Sequence, residues 1–340
     1  GALPYDRTRP PHLFQPVTIR QLDRPAAPAD RPRAVVQSII PRPDPTRFEA
    51  AVARVVDLLA SDPELRKVVL SRALDLVVDR PIDVGQLVAR LALDEQATVF
   101  AVPLPAGHRQ ASRCLVGATP ELLLAKTGSV IQSHPLAGSA RRSADRAADR
   151  SAAEALLRSD KDRREHAMVV EAILDQLAPC CRDLPRSPAP ELVATRSMWH
   201  LGTRIEGRLT DPEVNSIHLA RLLHPTPAVC GTPRDRADQV IRAQEGYERD
   251  FYAGAVGWCD AAGDGAWYVS IRCAEIAGTH ARLYAGAGIV AGSDPAAELM
   301  ETQAKFTALL AALGVDASAA ALLRPAAPAQ PDRSCLTCPA

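Results

Sequence analysis

The strand-like segments of this chain come as hairpins, and this arrangement constrains the fold more than any other feature. One hairpin is predicted about Thr127-Gly128, between the apolar runs 121–126 and 129–133. Three further strand patterns follow one another at hairpin spacing, and they cover Gly254–Asp260, Ala266–Ala274 and Ala281–Ala287. Hairpins pair their strands antiparallel, whereas strand–helix–strand units build parallel sheets. We therefore predict an α+β fold with mostly antiparallel sheets flanked by helices, rather than a doubly wound parallel sheet.

Amphipathic helices are predicted on either side of these strands. The apolar periodicity and the capping residues place them at Phe48–Ala60, Val84–Leu93, Asp149–Leu177, Ser216–Leu223, Asp235–Ala243 and Pro295–Leu313. The segment Lys67–Val78 is rich in β-branched and apolar residues and is predicted as a long strand. The proline-rich first 46 residues are predicted to be irregular, with one strand near Ala34–Ile40. The Ala/Pro-rich tail 316–340 is predicted to be flexible.

The charge balance excludes several classes of function. Forty lysines and arginines balance forty aspartates and glutamates in 340 residues, so no basic surplus indicates a nucleic-acid partner. No apolar run is long enough to span a bilayer, and no charged-then-apolar leader opens the chain. We therefore expect a soluble, cytoplasmic protein with no membrane or nucleic-acid partner, by default a monomer. Its eight cysteines are expected to be reduced, and the lone Cys335/Cys338 pair offers too few ligands for a zinc site.

Lysine is rare in this chain. Of the forty basic residues only Lys67, Lys126, Lys161 and Lys305 are lysines. A buried lysine can lose its proton, whereas an arginine effectively cannot. A lysine that persists among so many arginines is therefore a candidate for proton transfer, although chance explains any single one equally well. Lys126 lies beside a predicted hairpin turn, where a structural role is favoured.

Two predicted helices each carry an acidic pair at i, i+3 spacing. Asp162 and Glu165 form the first pair, and Glu298 and Glu301 form the second. Residues three apart share a helix face, so each pair brings two like charges together. Solvent exposure explains either pair alone. If the two faces meet in a cleft, however, they supply the carboxylate oxygens that Mg²⁺ prefers.

Four further side chains stand out because of their apolar surroundings. Lys67 opens an apolar strand, where it lies either at an exposed edge or in a pocket as a base. Glu121 precedes three leucines and is either a solvent contact or a general acid whose pKa is raised by burial. Arg272 interrupts an apolar strand and needs a counter-charge, for which a substrate carboxylate is a candidate. Lys305 follows Glu301 by one turn and could pair with it or with an anionic ligand.

Ten segments in order resemble one family, the chorismate-utilising enzymes of menaquinone, siderophore and tryptophan biosynthesis, and among these most closely the siderophore-type isochorismate synthases. The segments are KVVLSR (67–72), VGATPELLL (116–124), HPLAGSARR (134–142), SDKDRREH (159–166), WHLGTRIEG (199–207), LLHPTPAVCG (222–231), ERDFYAGAVGWCD (248–260), SIRCAEI (270–276), LYAGAGIV (283–290) and ELMETQAK (298–305). The resemblance implies a single catalytic domain over 1–315 with the chorismate-binding fold, in which two antiparallel sheets pack between helices around a deep cleft. Relatives carry additional strands ahead of the first residue, so these are expected to be missing or shortened.

The resemblance also implies roles for individual residues. Lys67 matches the general base that activates water, and Glu121 matches the general acid that protonates the departing hydroxyl. Glu165 and Glu301 match ligands of Mg²⁺, with Asp162 and Glu298 close by through water. The residues that match substrate contacts are Gly138, Ser139, His200, Ala228, Tyr252, Arg272, Gly286 and Lys305. The substrate implied is chorismate, and the product is isochorismate.

Few positions separate the subfamilies. Lys67 favours water over ammonia as the nucleophile, since the anthranilate-forming relatives lack this lysine. Ala137 argues against the aminodeoxychorismate type, which carries a nucleophilic lysine at that place. Two alternatives stay open at this point. One is a salicylate synthase, which forms isochorismate and then eliminates pyruvate, and the other is a non-catalytic homologue that binds chorismate.

Overall fold

The computed structural model describes residues 1–21, 34–105, 112–184 and 189–315. Its strands are β1 Ala2–Leu3, β2 Val36–Arg42, β3 Lys67–Val78, β4 Thr98–Leu104, β5 Arg113–Thr119, β6 Leu122–Thr127, β7 Val130–His134, β8 Leu136–Arg141, β9 Cys181–Asp183, β10 Glu191–Ala194, β11 Met198–Gly202, β12 Ile205–Leu209, β13 Gly231–Thr232, β14 Ala255–Cys259, β15 Gly265–Val269, β16 Cys273–Ala277 and β17 His280–Ile289. Its helices are α1 Pro45–Ser61, α2 Val84–Leu91, α3 Arg146–Arg158, α4 Asp160–Leu177, α5 Ser216–Leu223, α6 Arg234–Glu245 and α7 Pro295–Leu313. The tail 316–340, with Cys335 and Cys338, lies outside the described residues.

Two large antiparallel sheets form the body of the fold. The first has seven strands in the order β1-β14-β15-β6-β7-β12-β9. The second has the order β13-β3-β17-β16-β5-β4, and β2 pairs along β3 as well. A smaller sheet has the order β10-β11-β8. The predicted α+β class with antiparallel sheets is confirmed, and the predicted bounds of Lys67–Val78, Ser216–Leu223 and Pro295–Leu313 agree with the structure.

The longest strand pair sets the position of the site. β3 and β17 pair over ten residues, from Val77 opposite His280 to Val68 opposite Ile289. The first residues of β3 therefore lie beside the glycine-containing end of β17. Helix α7 follows β17 directly and packs on it. Hydrophobic side chains of β3, β17, α2 and α7 form one core cluster, and a larger cluster joins residues of both seven-stranded sheets.

The helical segment predicted as Asp149–Leu177 is in fact two helices, α3 and α4, and the prediction of one continuous helix was wrong. Ser159 separates them with an extended backbone, and its side chain accepts a hydrogen bond from the backbone N–H of Asp162. A serine that caps the first turn in this way satisfies one of the donors that a new helix leaves free. The break turns α4 so that Glu165 and His166 are buried.

The strand predicted as Ala266–Ala274 is likewise divided. β15 belongs to the first large sheet, whereas β16 belongs to the second. The chain crosses between the sheets at Ser270–Arg272, and Arg272 adopts a left-handed backbone with a φ of 50°. A non-glycine residue rarely adopts this conformation, so the surrounding structure must hold it there. The crossing is what brings Arg272 into the space between the sheets.

Among the described residues, no helix combines the length and the apolar character that crossing a bilayer would require. The six described cysteines are free thiols, as expected.

Candidate active site

A cavity of about 70 Å³ lies where β3, β8 and β17 meet helices α4 and α7. Eleven of the fourteen residues predicted for the site line it, and they are Glu121, Gly138, Ser139, Glu165, His200, Ala228, Tyr252, Arg272, Gly286, Glu301 and Lys305. The other three, Lys67, Asp162 and Glu298, do not line the cavity but contact or adjoin residues that do. The structure thus brings together side chains that are up to 238 positions apart along the chain, from Lys67 to Lys305.

Lys67 and Glu165 form a buried ion pair. Lys67 is the first residue of β3 and has no exposed surface. Its Nζ lies 2.9 Å from Oε1 of Glu165, which projects from α4. The approach lacks hydrogen-bond geometry, and Nζ has no hydrogen-bond partner within the described ranges. Because a buried ammonium is stabilised only by a nearby counter-charge, the position of Lys67 depends on Glu165.

Gly288 gives this ion pair its room. A β-carbon built on Gly288 would lie 2.2 Å from Oε1 of Glu165 and 3.0 Å from Cε of Lys67. Both distances are shorter than a side chain can normally approach, so only glycine fits without moving the pair. The glycines near the end of β17 therefore let charged side chains approach its backbone closely, as glycines in strands often do.

A second ion pair lies on α7. Lys305 Nζ donates to Oε1 of Glu301 at 2.6 Å and to the backbone oxygen of Gly286 at 2.7 Å. Ser139 Oγ donates to the same carboxylate oxygen at 3.1 Å. Burial alone would raise the pKa of Glu301, but the charge of Lys305 and these hydrogen bonds hold that pKa below its ordinary value. Glu301 is therefore an ionised carboxylate inside the cavity.

The remaining acidic residues are close behind the cavity wall. Glu298 is almost fully buried and accepts from Lys161 Nζ at 2.7 Å. Burial, reinforced by repulsion from Glu301, raises the pKa of Glu298, although Lys161 opposes the shift. Burial also raises the pKa of Asp162, and repulsion from Glu165 adds to it. Both shifts come mainly from burial, and repulsion among the neighbouring carboxylates adds to it.

Glu121 lies just before β6 and is 2% exposed. Burial raises its pKa to about 8, although the charge of Lys67 and a backbone hydrogen bond from Leu136 act in the opposite direction. A carboxylic acid with such a pKa carries its proton at neutral pH. Glu121 therefore presents a proton donor to the cavity, while Glu165 and Glu301 present carboxylates.

Arg272 and His200 contact each other in the cavity wall. One guanidinium nitrogen of Arg272 lies 3.3 Å from Nε2 of His200. Burial, with the charge of Arg272 in addition, lowers the pKa of His200 well below its ordinary value, so the imidazole is neutral and can accept this hydrogen bond. No carboxylate contacts Arg272 in the described part of the chain, and its charge is free for an anionic ligand.

The Tyr252 ring stacks on the Tyr284 ring, with centroids 4.6 Å apart and an angle of 7° between the planes. Its hydroxyl lies 3.0 Å from the position that a β-carbon on Gly286 would occupy. The stack holds the Tyr252 ring in place, and Gly286, which has no side chain, leaves room for the Tyr252 hydroxyl. Ala228 completes this side of the wall.

Three residues of the site were not predicted from the sequence. Gly288 had a signal in the segment GAGIV, but strand glycines have many uses. Lys161 had a signal in the scarcity of lysine, yet its partner Glu298 is distant in sequence. Tyr284 had none beyond an aromatic in an apolar strand. All four lysines prove to be ion-paired with carboxylates, and Lys126 pairs with Asp264 at 2.7 Å, away from the cavity.

The charged donors near the cavity that could hold a metal ion are the carboxylate oxygens of Asp162, Glu165, Glu298 and Glu301, which suit a hard divalent cation. Within the described ranges, no group of three or more histidine, cysteine or acidic side chains surrounds one point. A cation here would therefore rely on few carboxylates and on oxygens from water or substrate. The same cavity presents two cations, Arg272 and Lys305, and one proton donor, Glu121. It is suited to an anionic substrate and to acid–base chemistry.

Known proteins that are similar to this chain were found by comparing sequences and by comparing structures. The chain is 43% identical over 323 residues to isochorismate synthase DhbC of Bacillus subtilis, and the alignment covers 93% of this chain and 80% of that protein. It is 41% identical over 322 residues to isochorismate synthase EntC of Escherichia coli, with 93% and 81% covered. The crystal structure of DhbC from Bacillus anthracis superposes with a TM-score of 0.84 at 42% identity, covering 93% of this chain and 83% of that one.

The family assignment agrees with these relatives. Residues 13–314 match the family described as chorismate binding enzyme, and this range includes every residue that lines the cavity. The chain therefore belongs to the chorismate binding enzyme family.

Proposed function

We propose that this protein is an isochorismate synthase, an isomerase that converts chorismate to isochorismate. The observation that carries the proposal is the buried carboxyl of Glu121, whose pKa burial raises to about 8, in the wall of the cavity that Glu165, the partner of Lys67, also lines. A hydroxyl shift through addition of water needs a base for the attacking water and an acid for the departing hydroxyl. The relatives DhbC and EntC, which carry that activity in their names, support the same reaction.

Chorismate fits the charges of the cavity. It is a small dianion, and Arg272 offers a guanidinium without a carboxylate in contact, within the described residues. Lys305 lies beside it, with its amine held between Glu301 and the backbone of Gly286. We propose that Arg272, Tyr252 and Lys305 hold the carboxylates of the substrate. Gly138, Ser139, His200, Ala228 and Gly286 complete the substrate contacts.

The proposed reaction assigns one proton transfer to each catalytic residue. The step requires that Lys67 first lose one proton from the ammonium that pairs with Glu165. As the neutral amine, Lys67 then takes a proton from water while the water oxygen bonds to C2 of the ring. The ring double bonds shift, the C4–oxygen bond breaks, and Glu121 gives its proton to the departing hydroxyl, which leaves as water. One water enters and one leaves, so the product is an isomer of the substrate. Lys67 then releases the proton that it took from water, and Glu121 takes up a proton, so both side chains return to their starting protonation states.

We further propose that Mg²⁺ serves as the cofactor. Glu165 and Glu301 would hold the ion, with Asp162 and Glu298 contributing through water, because Mg²⁺ retains several of its waters. The clustered carboxylates and the raised pKa values of Asp162 and Glu298 support a cation at this place. When bound, the ion neutralises a substrate carboxylate and stabilises negative charge. The chain needs no residue from a second copy for these roles, so we propose a single catalytic domain that works as a monomer.

The product formed from chorismate with Mg²⁺ tests the proposal. We expect isochorismate, identified by chromatography against a standard, with no more than traces of pyruvate. Salicylate and pyruvate as main products would instead assign a salicylate synthase. Bound chorismate that stays unchanged would assign a non-catalytic homologue, and either result contradicts the proposal. Light scattering at the concentration used for the assay measures the molar mass, and the mass of a dimer would contradict the proposed monomer.

A further inference from the structure

A second and larger cavity adjoins the catalytic cavity. It has a volume of about 370 Å³ and lies between the outer face of α7, the segment that follows α2, and the turn between β10 and β11. Its walls are mainly apolar and include Leu93, Ala118, Ala308 and Ala311. The proposed proton transfers do not use this space, and the three elements that form it are far apart in the chain.

The two cavities share part of their walls. Pro120, Arg272 and Lys305 line both, so these side chains stand between the two spaces. The catalytic cavity, at about 70 Å³, is far below the roughly 300–1,000 Å³ of a ligand pocket, and the second cavity falls within that range. A molecule that moves from the second cavity into the catalytic cavity would pass these three side chains.

The second cavity is also positively charged. Its described walls carry Arg90, Arg196, Arg272 and Lys305 but only one carboxylate, Asp94. Asp94 accepts a hydrogen bond from the backbone N–H of Arg196 at 3.0 Å, which fastens the β10–β11 turn across the cavity. Arg196 lines the cavity and is exposed, which places it at the rim. A cleft with this balance raises the local concentration of an anion.

We infer that the second cavity is the passage by which the anionic substrate reaches the catalytic cavity, and that Arg196 at its rim captures the anion. The inference rests on the proposed function, because it takes the substrate to be a small dianion with an apolar ring. The apolar walls suit the ring, and the cations lead from Arg196 at the rim to Arg272 at the inner end. Arg90 is held at the wall by its hydrogen bond to the backbone oxygen of Ala312 at 3.0 Å.

A bulky side chain in the passage provides the first test. Ala308 lies on the exposed face of α7 and lines the second cavity but not the catalytic one. We expect Ala308→Trp to lower the association rate constant of chorismate at least tenfold and the dissociation rate constant in proportion, so that Kd changes less than threefold. The measurement is the stopped-flow change in tryptophan fluorescence on mixing with chorismate. A block inside the site would instead raise Kd.

The matched control is Ala50→Trp, the same substitution at an exposed alanine of α1 that lines neither cavity. Ala311→Trp, on the same face of α7, repeats the test if Ala308→Trp lowers the melting temperature. Association rate constants of the α7 variants within twofold of that of Ala50→Trp would place the passage elsewhere and overturn the inference.

Removal of the capturing charge provides the second test. Arg196→Gln should slow association about threefold at low ionic strength, and the difference should vanish at high salt, because screening removes the attraction. Arg47→Gln is the control, since Arg47 is an exposed arginine of α1 outside both cavities. Equal rate constants for the two variants at low salt would remove Arg196 from the inference.

These rate constants report binding and not turnover. A wild-type protein that binds chorismate through this passage but forms no isochorismate would overturn the proposed function and leave the passage intact. If the wild-type protein forms isochorismate but Ala308→Trp and Ala311→Trp leave the association rate constant unchanged, the passage is overturned and the proposed function stands.

Discussion

Lys67 Nζ lies 2.9 Å from Glu165 Oε1, where the lysine side chain is fully buried and the glutamate side chain is 11% exposed. The attraction between the two charges is thus the main compensation for the cost of burying each of them. On α7, Lys305 and Glu301 repeat the arrangement, and Lys161 and Glu298 form a third pair between α4 and α7. Three lysines and four carboxylates, including Asp162, therefore share one region with one negative charge in excess when all are ionised. The excess suits a site that receives a cation.

Lys67→Ala should abolish turnover while chorismate still binds. Loss of a catalytic base costs about 10²- to 10⁴-fold in rate. The buried charge of Glu165 would also lose its partner, which should lower the free energy of unfolding by about 3–5 kcal/mol. Lys126→Ala is the matched control, because Lys126 is also buried and ion-paired, to Asp264, but lies away from the cavity. Steady-state kinetics with calorimetric binding compares the two. Undiminished turnover in Lys67→Ala would remove it as the base.

Glu121 should make the rate depend on pH. Its acid form, which donates the proton, prevails below its pKa of about 8, so kcat should fall as the pH rises through that value. Glu121→Gln should lower kcat at least about 100-fold and remove this limb from the pH profile. A profile of wild type that stays flat to pH 9.5, well past the titration of Glu121, would contradict its role as the acid.

The same group should affect stability in a defined direction. The unfolded chain releases the Glu121 proton near pH 4.5, whereas the folded protein keeps it until about pH 8. Folding therefore becomes less favourable as the pH rises between these values, and the penalty stays constant above them. Glu121→Gln should gain more than about 1.4 kcal/mol in unfolding free energy relative to wild type between pH 5 and 8, the equivalent of one pKa unit. Urea unfolding at both values measures the difference.

Gly288→Ala should damage the site without damaging the fold elsewhere. The added β-carbon would lie 2.2 Å from Oε1 of Glu165, so the Lys67–Glu165 pair must move apart. We expect at least a tenfold loss of kcat/KM, because a displacement of about 1 Å can cost about 10²-fold. Gly85→Ala is the control, since Gly85 is exposed near the start of α2 and the nearest atom there is a side-chain oxygen of Asp83 at 3.3 Å. Equal activity of both variants would show that the pair has room to spare.

Removal of divalent cations should stop turnover. We expect a chelator to abolish product formation and Mg²⁺ to restore it. Glu301→Gln should raise the Mg²⁺ concentration for half-maximal rate at least about tenfold, as loss of one carboxylate weakens a site built from few ligands. Glu154→Gln, on the exposed face of α3, is the control. Full activity in the presence of the chelator would exclude the metal from the proposal.

The sequence by itself determined the class of fold, and it predicted most of the side chains that the structure gathers around the cavity. Hairpin spacing and apolar periodicity are local properties, so β3, α5 and α7 could be predicted with their observed bounds. The ten ordered segments named the family and eleven residues that line the cavity. Local patterns failed to predict two breaks. Ser159 ends α3 and caps α4, and Arg272 lies where the chain passes from one sheet to the other.

Only the tertiary structure decided which charges meet. Lys67 and Glu165, or Lys161 and Glu298, are pairs between elements that have no fixed spacing in the chain, and the sequence left each of them open between exposure and burial. The raised pKa of Glu121 likewise depends on burial, which arises when distant elements pack. The role of Gly288 and the second cavity follow from the same cause. Propensity and periodicity act over a few residues, whereas desolvation and ion pairing act across the folded core.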